Sequence, residues 1–276
     1  MLMKRQNHKW FWFIVRMIRV ILLAYIILIL YAYFVSEGII FQPQKSSYKD
    51  NQDILKLQVA SGIEISVMYL FNLQAEFTFL YSHGNAEDLG DMLPLLDAFY
   101  RQGFSVIAYD YQGYGTSKGT PSEKNSYKDI ERVYQYLVEE KKIAPEKIIA
   151  WGRSVGAGPA VDLAYRRKLG GLVVESSFVT AFRVMTTYPL IPFDRYRNLK
   201  KIKKVKCPVL VIHGTKDVVI PFWHGEKLFQ AVKSLKLSLW VEGAGHDDLF
   251  WVAGENYFRK IEEFIKLVKK AVKEIN

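Results

Sequence analysis

The stretch IIAWGRSVGAGPA, from Ile148 to Ala160, joins a strand-like run to a helix-like run through one serine. Its first part, IIAW, is continuously apolar, as in strands that are covered on both faces of a sheet. Ser154 lies between Gly152 and Gly156 in the pattern G-x-S-x-G, which is typical of a nucleophile elbow. Larger side chains at the glycine positions would collide with neighbouring backbone in so tight a turn. The stretch therefore predicts a serine that projects from the end of a strand, at the N-terminus of the next helix.

Outward from this stretch, apolar runs rich in β-branched residues alternate with helical patterns. The first two runs follow each other directly, as in a hairpin, and the later ones are separated by helices, as in a parallel sheet with helices on both faces. Candidate strands fall at 54–59, 63–71, 77–82, 104–110, 147–151, 171–175, 208–213 and 236–241, and helical patterns at about 87–101, 124–142, 154–169, 178–187, 222–234 and 249–273. The sequence predicts an α/β domain over residues 38–276, with a mostly parallel sheet of about eight strands.

The first 37 residues carry a separate signal. Residues 10–35 are almost wholly apolar, and as a helix they would extend about 39 Å, enough to cross a hydrocarbon core. The small residues expected before a signal-peptide cleavage site are missing. A buried core helix is disfavoured because the segment is apolar on all sides and precedes the domain. We predict a short tail and an uncleaved membrane anchor in residues 1–37.

Charge predicts the orientation of this anchor. Five basic residues lie on its N-terminal side, and Glu37 follows it. The basic residues are Lys4, Arg5, Lys9, Arg16 and Arg19. Because positive charge is retained in the cytoplasm, the N-terminus is predicted to be cytoplasmic. The domain would then lie on the opposite side, which is periplasmic, extracellular or luminal.

Composition narrows the classes of ligand. The formal net charge of +10 is accompanied by no recognised nucleic-acid-binding motif, so nucleic acid is not an expected partner. The single cysteine, Cys207, excludes an intramolecular disulfide framework. The sequence carries no metal-ligand cluster and no dinucleotide-binding motif, so we expect no metal and no cofactor. It does not specify an oligomeric state.

A serine hydroxyl is a weak nucleophile that needs a general base, which in turn needs an orienting acid. In chains with a nucleophile elbow the order is serine, acid, histidine. The run VLVIHGTKDVVIP places Asp217 four residues past one predicted strand, and LWVEGAGHDDLF places His246 five residues past the next. Both positions follow the carboxyl ends of parallel strands, where open α/β sheets place their sites. Ser154, Asp217 and His246 are therefore the predicted catalytic residues.

Other histidines compete for the role of base. His213 precedes the predicted acid on the same strand exit and is poorly placed for it, whereas His83 ends an earlier strand in a similar His-Gly turn. His224 is expected at the surface, near the start of a helix. His246 remains the preferred base.

Other carboxylates compete for the role of acid. Asp247 and Asp248 follow His246 directly and are expected to favour the start of the last helix through its dipole. Asp110, in the run AYDYQGYG, is expected to brace its own turn. Asp217 remains the preferred acid.

A tetrahedral intermediate needs N–H donors for its oxyanion. One donor is expected to be the backbone N–H of Val155, the residue after the nucleophile. The other is expected from the loop after the third strand, in the run LYSHGNAEDLG. The N–H of Asn85 is the best candidate there, with Ala86 as the alternative.

Five motifs together resemble the alpha/beta-hydrolase superfamily. They resemble most the branch of small serine hydrolases that includes membrane-tethered depalmitoylases and their one-anchor relatives. The similarity extends in order from about residue 63 to about 265, over YSHGNAEDLGDM, YDYQGYGTSKGTPSE, WGRSVGAGPAVDLA, CPVLVIHGTKDVVIPFWHG and EGAGHDDL. The resemblance implies an alpha/beta-hydrolase fold with Ser154 as nucleophile, Asp217 as acid and His246 as base.

The chain departs from these relatives in two places. The depalmitoylases attach to membranes through an N-terminal cysteine cluster, whereas this chain has an apolar helix there. Arg153 stands where relatives often carry glutamine or another residue.

A serine nucleophile indicates acyl transfer to water, from an ester, a thioester or, less often, an amide. Only about 30 residues separate the strand that ends at Glu175 from the next, which predicts a short cap and a fairly open cleft. Its apolar side chains either line an acyl site or pack over the sheet: Phe178, Phe182, Met185, Tyr188, Leu190 and Ile191. The seven basic residues within 195–206 are either solvated or contact anionic lipid head groups.

These observations lead to one predicted function and two alternatives. The prediction is a membrane-anchored serine hydrolase that cleaves ester or thioester bonds of acylated or lipid-like substrates, with membrane lipid as a partner. One alternative is a serine peptidase of the same fold. The other is a non-catalytic membrane-tethered binding protein.

Overall fold

The computed structural model describes residues 2–275, and the side chains of 2–7, 9, 274 and 275 lie outside that description. The chain divides into two compact units, with the boundary between Ile40 and Phe41. The first unit is one helix, α1 (Leu2–Ile40). The predicted orientation of the anchor rests partly on Lys4, Arg5 and Lys9. The side chains of these residues lie outside the described part of the structure.

Helix α1 contains the predicted anchor. Among the described residues, Trp10–Ile40 is the one helical span long and apolar enough to cross a membrane, and none of its most apolar window is buried. By length and composition it is a candidate membrane anchor.

The second unit is built on one eight-stranded sheet with the order β1-β2-β4-β3-β5-β6-β7-β8. The pairs β1–β2 and β2–β4 are antiparallel, and every other pair is parallel. The strands are β1 (Ile54–Ala60), β2 (Ile63–Leu70), β3 (Thr78–Ser82), β4 (Ser105–Tyr109), β5 (Ile148–Arg153), β6 (Gly171–Glu175), β7 (Val209–Gly214) and β8 (Lys236–Val241). All eight predicted strands are therefore confirmed, with bounds that differ by two residues at most.

The strand order reverses beside β3, which lies between β4 and β5. Ser82 at the end of β3 pairs with Gly152 near the end of β5. Connections from these two strands leave toward opposite faces of the sheet, so a crevice opens between them at the carboxyl edge. This arrangement puts the loop after β3 beside the turn that carries Ser154.

Helices cover both faces of the sheet, as predicted. The helices are α2 (Leu89–Arg101), α3 (Glu123–Gln135), α4 (Ala157–Arg166), α5 (Phe182–Met185), α6 (Asn198–Ile202), α7 (Trp223–Ala231), α8 (Leu249–Ala253) and α9 (Glu255–Ile275). On β5, the side chains of Ile149 and Trp151 belong to the apolar cluster shared with α2, α8 and α9. Helices α3, α4 and α7 pack on the other face, and α6 packs against α4 and α7.

Several helices differ from their predicted extent. The predicted helix 178–187 is reduced to α5, because the backbone of Thr186, directly after it, is extended, with φ of −133° and ψ of 136°. The predicted helix 249–273 is divided between α8 and α9 at Gly254, whose φ of 53° suits glycine. Helix α6 was not predicted. The short cap between β6 and β7 therefore contains only two small helices.

The glycines of the elbow permit close packing, as the sequence predicts. A Cβ at position 152 would lie 2.4 Å from the Cα of Ala157, and one at position 156 would lie 2.2 Å from the carbonyl oxygen of Ser82. These are backbone contacts, so the clash could be relieved only by moving β3 or the elbow.

Replacement of Gly156 by alanine is expected to destabilise the protein. Overpacking of this kind typically costs about 1–3 kcal/mol, which corresponds to a fall of several degrees in the thermal midpoint. Thermal unfolding of the full chain in detergent would measure it. Gly245→Ala is the control, because its nearest neighbour would be 3.5 Å away, at ordinary contact distance. Equal midpoints for the two variants would contradict the packing argument.

Candidate active site

Ser154 lies directly after β5, on a short 3-10 turn, Ser154–Gly156, that leads into α4. Its φ is 54°, in the left-handed region that residues other than glycine seldom adopt. A strained serine between a strand and a helix is the geometry that the G-x-S-x-G pattern predicts. The residue is 9% exposed, so it is largely covered but still accessible from the carboxyl edge of the sheet.

The structure brings together the three side chains that the sequence predicts to act together. Nε2 of His246 lies 3.1 Å from Oγ of Ser154, and Nδ1 of His246 lies 2.8 Å from Oδ2 of Asp217. The loops after β5, β7 and β8 thus meet at one edge, although His246 is 92 residues from the serine in sequence. Both distances are within hydrogen-bonding range.

Asp217 is held by its own loop as well as by the histidine. Its Oδ1 accepts the backbone N–H groups of Val219, at 2.9 Å, and Ile220, at 2.7 Å. Burial raises the pKa of this carboxyl, but hydrogen bonds from His213 and His246 outweigh burial and hold the pKa well below its ordinary value. The group is therefore a carboxylate at neutral pH, able to accept a hydrogen bond from the Nδ1–H of His246.

The loop proposed to carry the second oxyanion donor packs directly on the elbow. Because residue 156 is a glycine, the carbonyl oxygens of Ser82 and His83 can lie where a Cβ would otherwise be. The side-chain oxygen of Asn85 accepts hydrogen bonds from the Tyr114 hydroxyl, at 2.7 Å, and from the Gln42 backbone N–H, at 2.9 Å. Asn85 is therefore held to the rest of the domain by its side chain.

Ala86, the alternative donor, has a φ of 58°. The loop therefore contains its own left-handed position, next to Asn85. Val155, the other predicted donor residue, is 5% exposed and lies within the 3-10 turn. Val155 is thus fixed by packing and Asn85 by the hydrogen bonds of its side chain, and preorganised donors must be fixed in some such way.

His83 and Asp110 form a buried pair beside this loop. Nε2 of His83 lies 3.5 Å from Oδ1 of Asp110, and both side chains are fully buried. Oδ1 of Asp110 also accepts the N–H of Leu89 at 2.9 Å, and its Oδ2 accepts the Tyr48 hydroxyl at 2.5 Å. Asp110 therefore braces its turn and the start of α2, as the sequence analysis expected.

His213 and His224 are also structural. His213 lies beside the predicted acid, with Nε2 at 2.8 Å from the carbonyl oxygen of Ile220. The prediction of a surface position for His224 is wrong, because its side chain is fully buried in α7 and its Nδ1 accepts the Val179 N–H at 3.2 Å. Burial, with His213 and Arg183 nearby, lowers its pKa to about 4. Among the described residues, no group of three or more His, Cys, Asp and Glu is arranged to hold a metal ion.

Of the two carboxylates after His246, Asp248 stands at the start of a helix, as the sequence analysis expected, whereas Asp247 has another role. Asp248 precedes α8, but its Oδ1 accepts the N–H of Gly245 at 2.7 Å and caps no helical N–H. The carboxylate of Asp247 pairs with Nη2 of Arg153 at 2.8 Å. Arg153 is thus the site residue whose role the sequence reasoning missed. The only sequence signal was an arginine at the variable position of the elbow.

A cavity of about 320 Å³ opens beside His246. Its wall is formed by the first turns of α2, the ends of β5 and β6, the loop that leads into α8 and the first residues of α8. The lining residues are Glu87, Asp91, Met92, Pro94, Leu95, Arg153, Glu175, His246, Asp247, Leu249, Phe250 and Trp251. The space next to the predicted base is therefore bounded by α2 and the histidine loop rather than by the cap.

The cap residues divide between packing and exposure. Phe178 is 4% exposed and packs on Tyr196, whereas Met185, Tyr188 and Leu190 are exposed. Phe182 packs on Phe193, and Ile191 is half-buried.

Part of the basic run 195–206 is also used within the domain. Nζ of Lys201 lies 2.7 Å from Oδ1 of Asp162 and 2.7 Å from the hydroxyl of Tyr127. Nζ of Lys204 lies over the ring of Tyr165 at 5.8 Å. These two basic side chains therefore help to hold the region of α6 against α3 and α4, and they are not simply solvated.

Family comparisons agree with this architecture. A family model described as "Serine aminopeptidase, S33" matches residues 74–192, and one described as "Prolyl oligopeptidase family" matches residues 173–273. Together the two matches extend from β3 to the last helix and include Ser154, Asp217 and His246.

Curated relatives extend the similarity over most of the chain. The chain is 38% identical over 228 residues to alpha/beta hydrolase domain-containing protein 17B of Homo sapiens, which covers 80% of this chain and 77% of that protein. It is 42% identical over 208 residues to alpha/beta hydrolase domain-containing protein aho-3 of Caenorhabditis elegans. That match covers 72% of this chain and 60% of the worm protein's length.

Solved structures share the fold at low sequence identity. The Pyrococcus furiosus esterase Pf2001 superposes with a TM-score of 0.68 at 18% identity, over 82% of this chain and 98% of that one. An alpha-beta serine hydrolase homologue from Coxiella burnetii gives 0.59 at 19% identity, over 81% and 99%.

Proposed function

Because the chain belongs to the alpha/beta hydrolase superfamily, in the family of alpha/beta hydrolase domain-containing protein 17, we propose that it is a serine hydrolase. Its substrates are carboxylic esters or thioesters with an acyl or lipid-like group. The observation that carries the proposal is the continuous hydrogen-bonded line from Ser154 through His246 to Asp217. A line of this kind is what converts a weakly nucleophilic hydroxyl into an attacking group.

In the first half of the reaction, Oγ of Ser154 attacks the carbonyl carbon of the substrate. Nε2 of His246 takes the hydroxyl proton, and the ionised Asp217 stabilises the imidazolium while it holds the ring in orientation. The carbonyl oxygen becomes an oxyanion, which accepts the N–H groups of Val155 and Asn85.

Collapse of the tetrahedral intermediate breaks the bond to the leaving alcohol or thiol. The proton on His246 goes to that leaving group, and the acyl group remains on Ser154. Water then attacks the acyl-enzyme with His246 again as base, and the carboxylic acid leaves. The cycle restores the serine hydroxyl.

The preference for acylated or lipid-like substrates rests on the candidate anchor. Residues 1–37 serve as a cytoplasmic tail and transmembrane anchor, and residues 38–276 as the catalytic domain on the other side of the membrane. A domain held beside a bilayer meets acyl chains at high local concentration. Where the leaflet that faces the domain contains anionic lipid, exposed basic residues of the run 195–206 contact its head groups, each contributing about 1 kcal/mol near such a surface.

A serine peptidase is the second candidate function. It is favoured by the descriptions of the two matching family models, which name an aminopeptidase and an oligopeptidase family. Against it stands the short cap, which contains only α5 and α6 between β6 and β7. A non-catalytic binding protein is the remaining alternative, and labelling of Ser154 by a fluorophosphonate probe would exclude it.

Ser154→Ala is expected to abolish labelling by a fluorophosphonate probe and ester hydrolysis, because the attacking oxygen is removed. Asp217→Asn is expected to lower kcat by about 10⁴-fold, as in other triads that lose the acid. Gel-based labelling and ester turnover of the full chain in detergent are the measurements. Ser61→Ala, at an exposed serine of the β1–β2 turn, is the control and should match the wild type. An unlabelled but folded wild type would favour the binding protein.

A panel of substrates with graded acyl chains would define the reaction. Long-chain acyl esters or thioesters in vesicles are expected to have higher kcat/KM than short soluble esters, because the acyl group and the anchored domain share the bilayer. The matched amide and prolyl peptide substrates are the controls. Turnover of short esters with none of long-chain substrates would contradict the lipid-like substrate, and faster cleavage of peptides would favour the peptidase.

The orientation of the anchor can be tested on sealed vesicles whose cytoplasmic face points outward. An epitope at the N-terminus is expected to be digested by added protease, and one at the C-terminus to be protected until detergent is added. A C-terminal epitope that is lost without detergent would overturn the proposed orientation.

A further inference from the structure

Arg153 occupies the position before the predicted nucleophile, and its side chain is only 11% exposed. Buried arginines are ordinarily paired, and this one lies near three carboxylates, two from loops and one from the end of β6. Burial lowers the pKa of its guanidinium, but Glu87, with Tyr81 and Glu175, outweighs burial and raises the pKa above its ordinary value. The side chain is therefore a permanent cation inside the site.

One edge of the guanidinium holds the histidine loop. Nη2 of Arg153 donates to Oδ1 of Asp247 at 2.8 Å and to the backbone carbonyl oxygen of His246 at 3.3 Å. The Asp247 side chain is 82% exposed, so its position depends on this bond rather than on packing. The second bond acts on the main chain of the predicted base itself.

The other edge holds the oxyanion loop. Nη1 of Arg153 donates to Oε1 of Glu87, and Oε2 of the same carboxylate accepts the N–H of Gly84 at 2.8 Å. Gly84 directly precedes Asn85, the proposed donor of the oxyanion hole. The guanidinium is thus joined to the donor loop through a single side chain.

A third carboxylate fixes the arginine itself. Nε of Arg153 lies 4.0 Å from Oε1 of Glu175, and Oε2 of Glu175 accepts the indole N–H of Trp151 at 3.0 Å and the Tyr257 hydroxyl at 2.7 Å. These partners come from β5 and α9, which belong to the apolar core. Glu175 therefore connects the guanidinium to the rigid part of the domain.

We propose that Arg153 is a positioning residue, which sets the histidine loop and the oxyanion loop at the correct distance from Ser154. The inference rests on the proposed hydrolase function. Arginine suits this role because its planar fork of five N–H groups can serve several acceptors in fixed directions. Lysine has the same charge but cannot span the separate acceptors. Displacement of a catalytic group by about 1 Å can cost about 10²-fold in rate.

The test compares Arg153→Lys, Arg153→Met and Asp247→Asn in the full chain in detergent. We expect Arg153→Lys to lower kcat for a short soluble ester by about tenfold and Arg153→Met by about 10²-fold. KM should change by less than about threefold, because uniform substrate binding is not affected. The rate of fluorophosphonate labelling at Ser154 should fall in parallel with kcat.

A double-mutant cycle separates positioning from general structural damage. If Asp247 acts through Arg153, Asp247→Asn lowers kcat severalfold in the wild type and has little further effect in Arg153→Lys. Arg166→Met is the matched control, because Arg166 also joins two carboxylates, those of Asp162 and Glu131, but at the other end of α4. It should leave kcat within about twofold of wild type.

The outcomes distinguish this inference from the proposed function. Retention of activity in Ser154→Ala would end the proposed function and this inference with it. If Ser154→Ala is inactive while Arg153→Lys keeps kcat within about twofold of wild type, only the positioning role is overturned. Additive losses in Arg153→Lys and Asp247→Asn would overturn it as well. Arg153→Lys and Asp247→Asn decide the matter even if Arg153→Met does not fold, because each keeps a polar or charged group in place.

Discussion

The left-handed turn at Ser154 is the constraint on which the site depends. A non-glycine residue in this region costs on the order of 1–2 kcal/mol, and the turn persists because packing holds it from both sides. Gly156 sits against the carbonyl oxygens of Ser82 and His83, and Gly152 sits against the backbone of Ala157. Relaxation of the turn toward ordinary helix would separate the hydroxyl from His246. The strain is thus kept by the fit of two strands and a helix, at the edge where substrate must approach.

The topology of the sheet determines which loops reach this turn. Because β3 and β5 are neighbours at the reversal of strand order, the donor loop lies on one side of the serine. The loops after β7 and β8 bring Asp217 and His246 from the other side. Arg153, pointing from the elbow itself, contacts both groups of loops. The Arg153 side chain therefore connects the loop after β3 with the loop after β8, which are not neighbours in the sheet.

Much of this fold could be predicted because its strands are local patterns. Strands such as VLVIH are apolar without alternation, and the bounds of all eight follow within two residues from composition and turn residues. The helices were less well predicted where a break in the helical backbone ends them, as at Gly254 and Thr186. In the candidate site, Ser154, Asp217 and His246 could be predicted from their order in the chain and their positions after the ends of strands. The same reasoning failed for His224, because a polar residue near a helix start gives no sign that the cap will bury it.

By itself, the sequence determined the alternation of strands and helices, the elbow around Ser154 and the long apolar segment near the N-terminus. Each of these depends on residues close together in the chain, so short-range patterns suffice to specify them. Only the tertiary structure decided that Glu87, Glu175 and Asp247 converge on Arg153, and that the cavity beside His246 is bounded by α2 instead of the cap. Those contacts join residues as many as 94 positions apart, and no local pattern records which distant loops will meet.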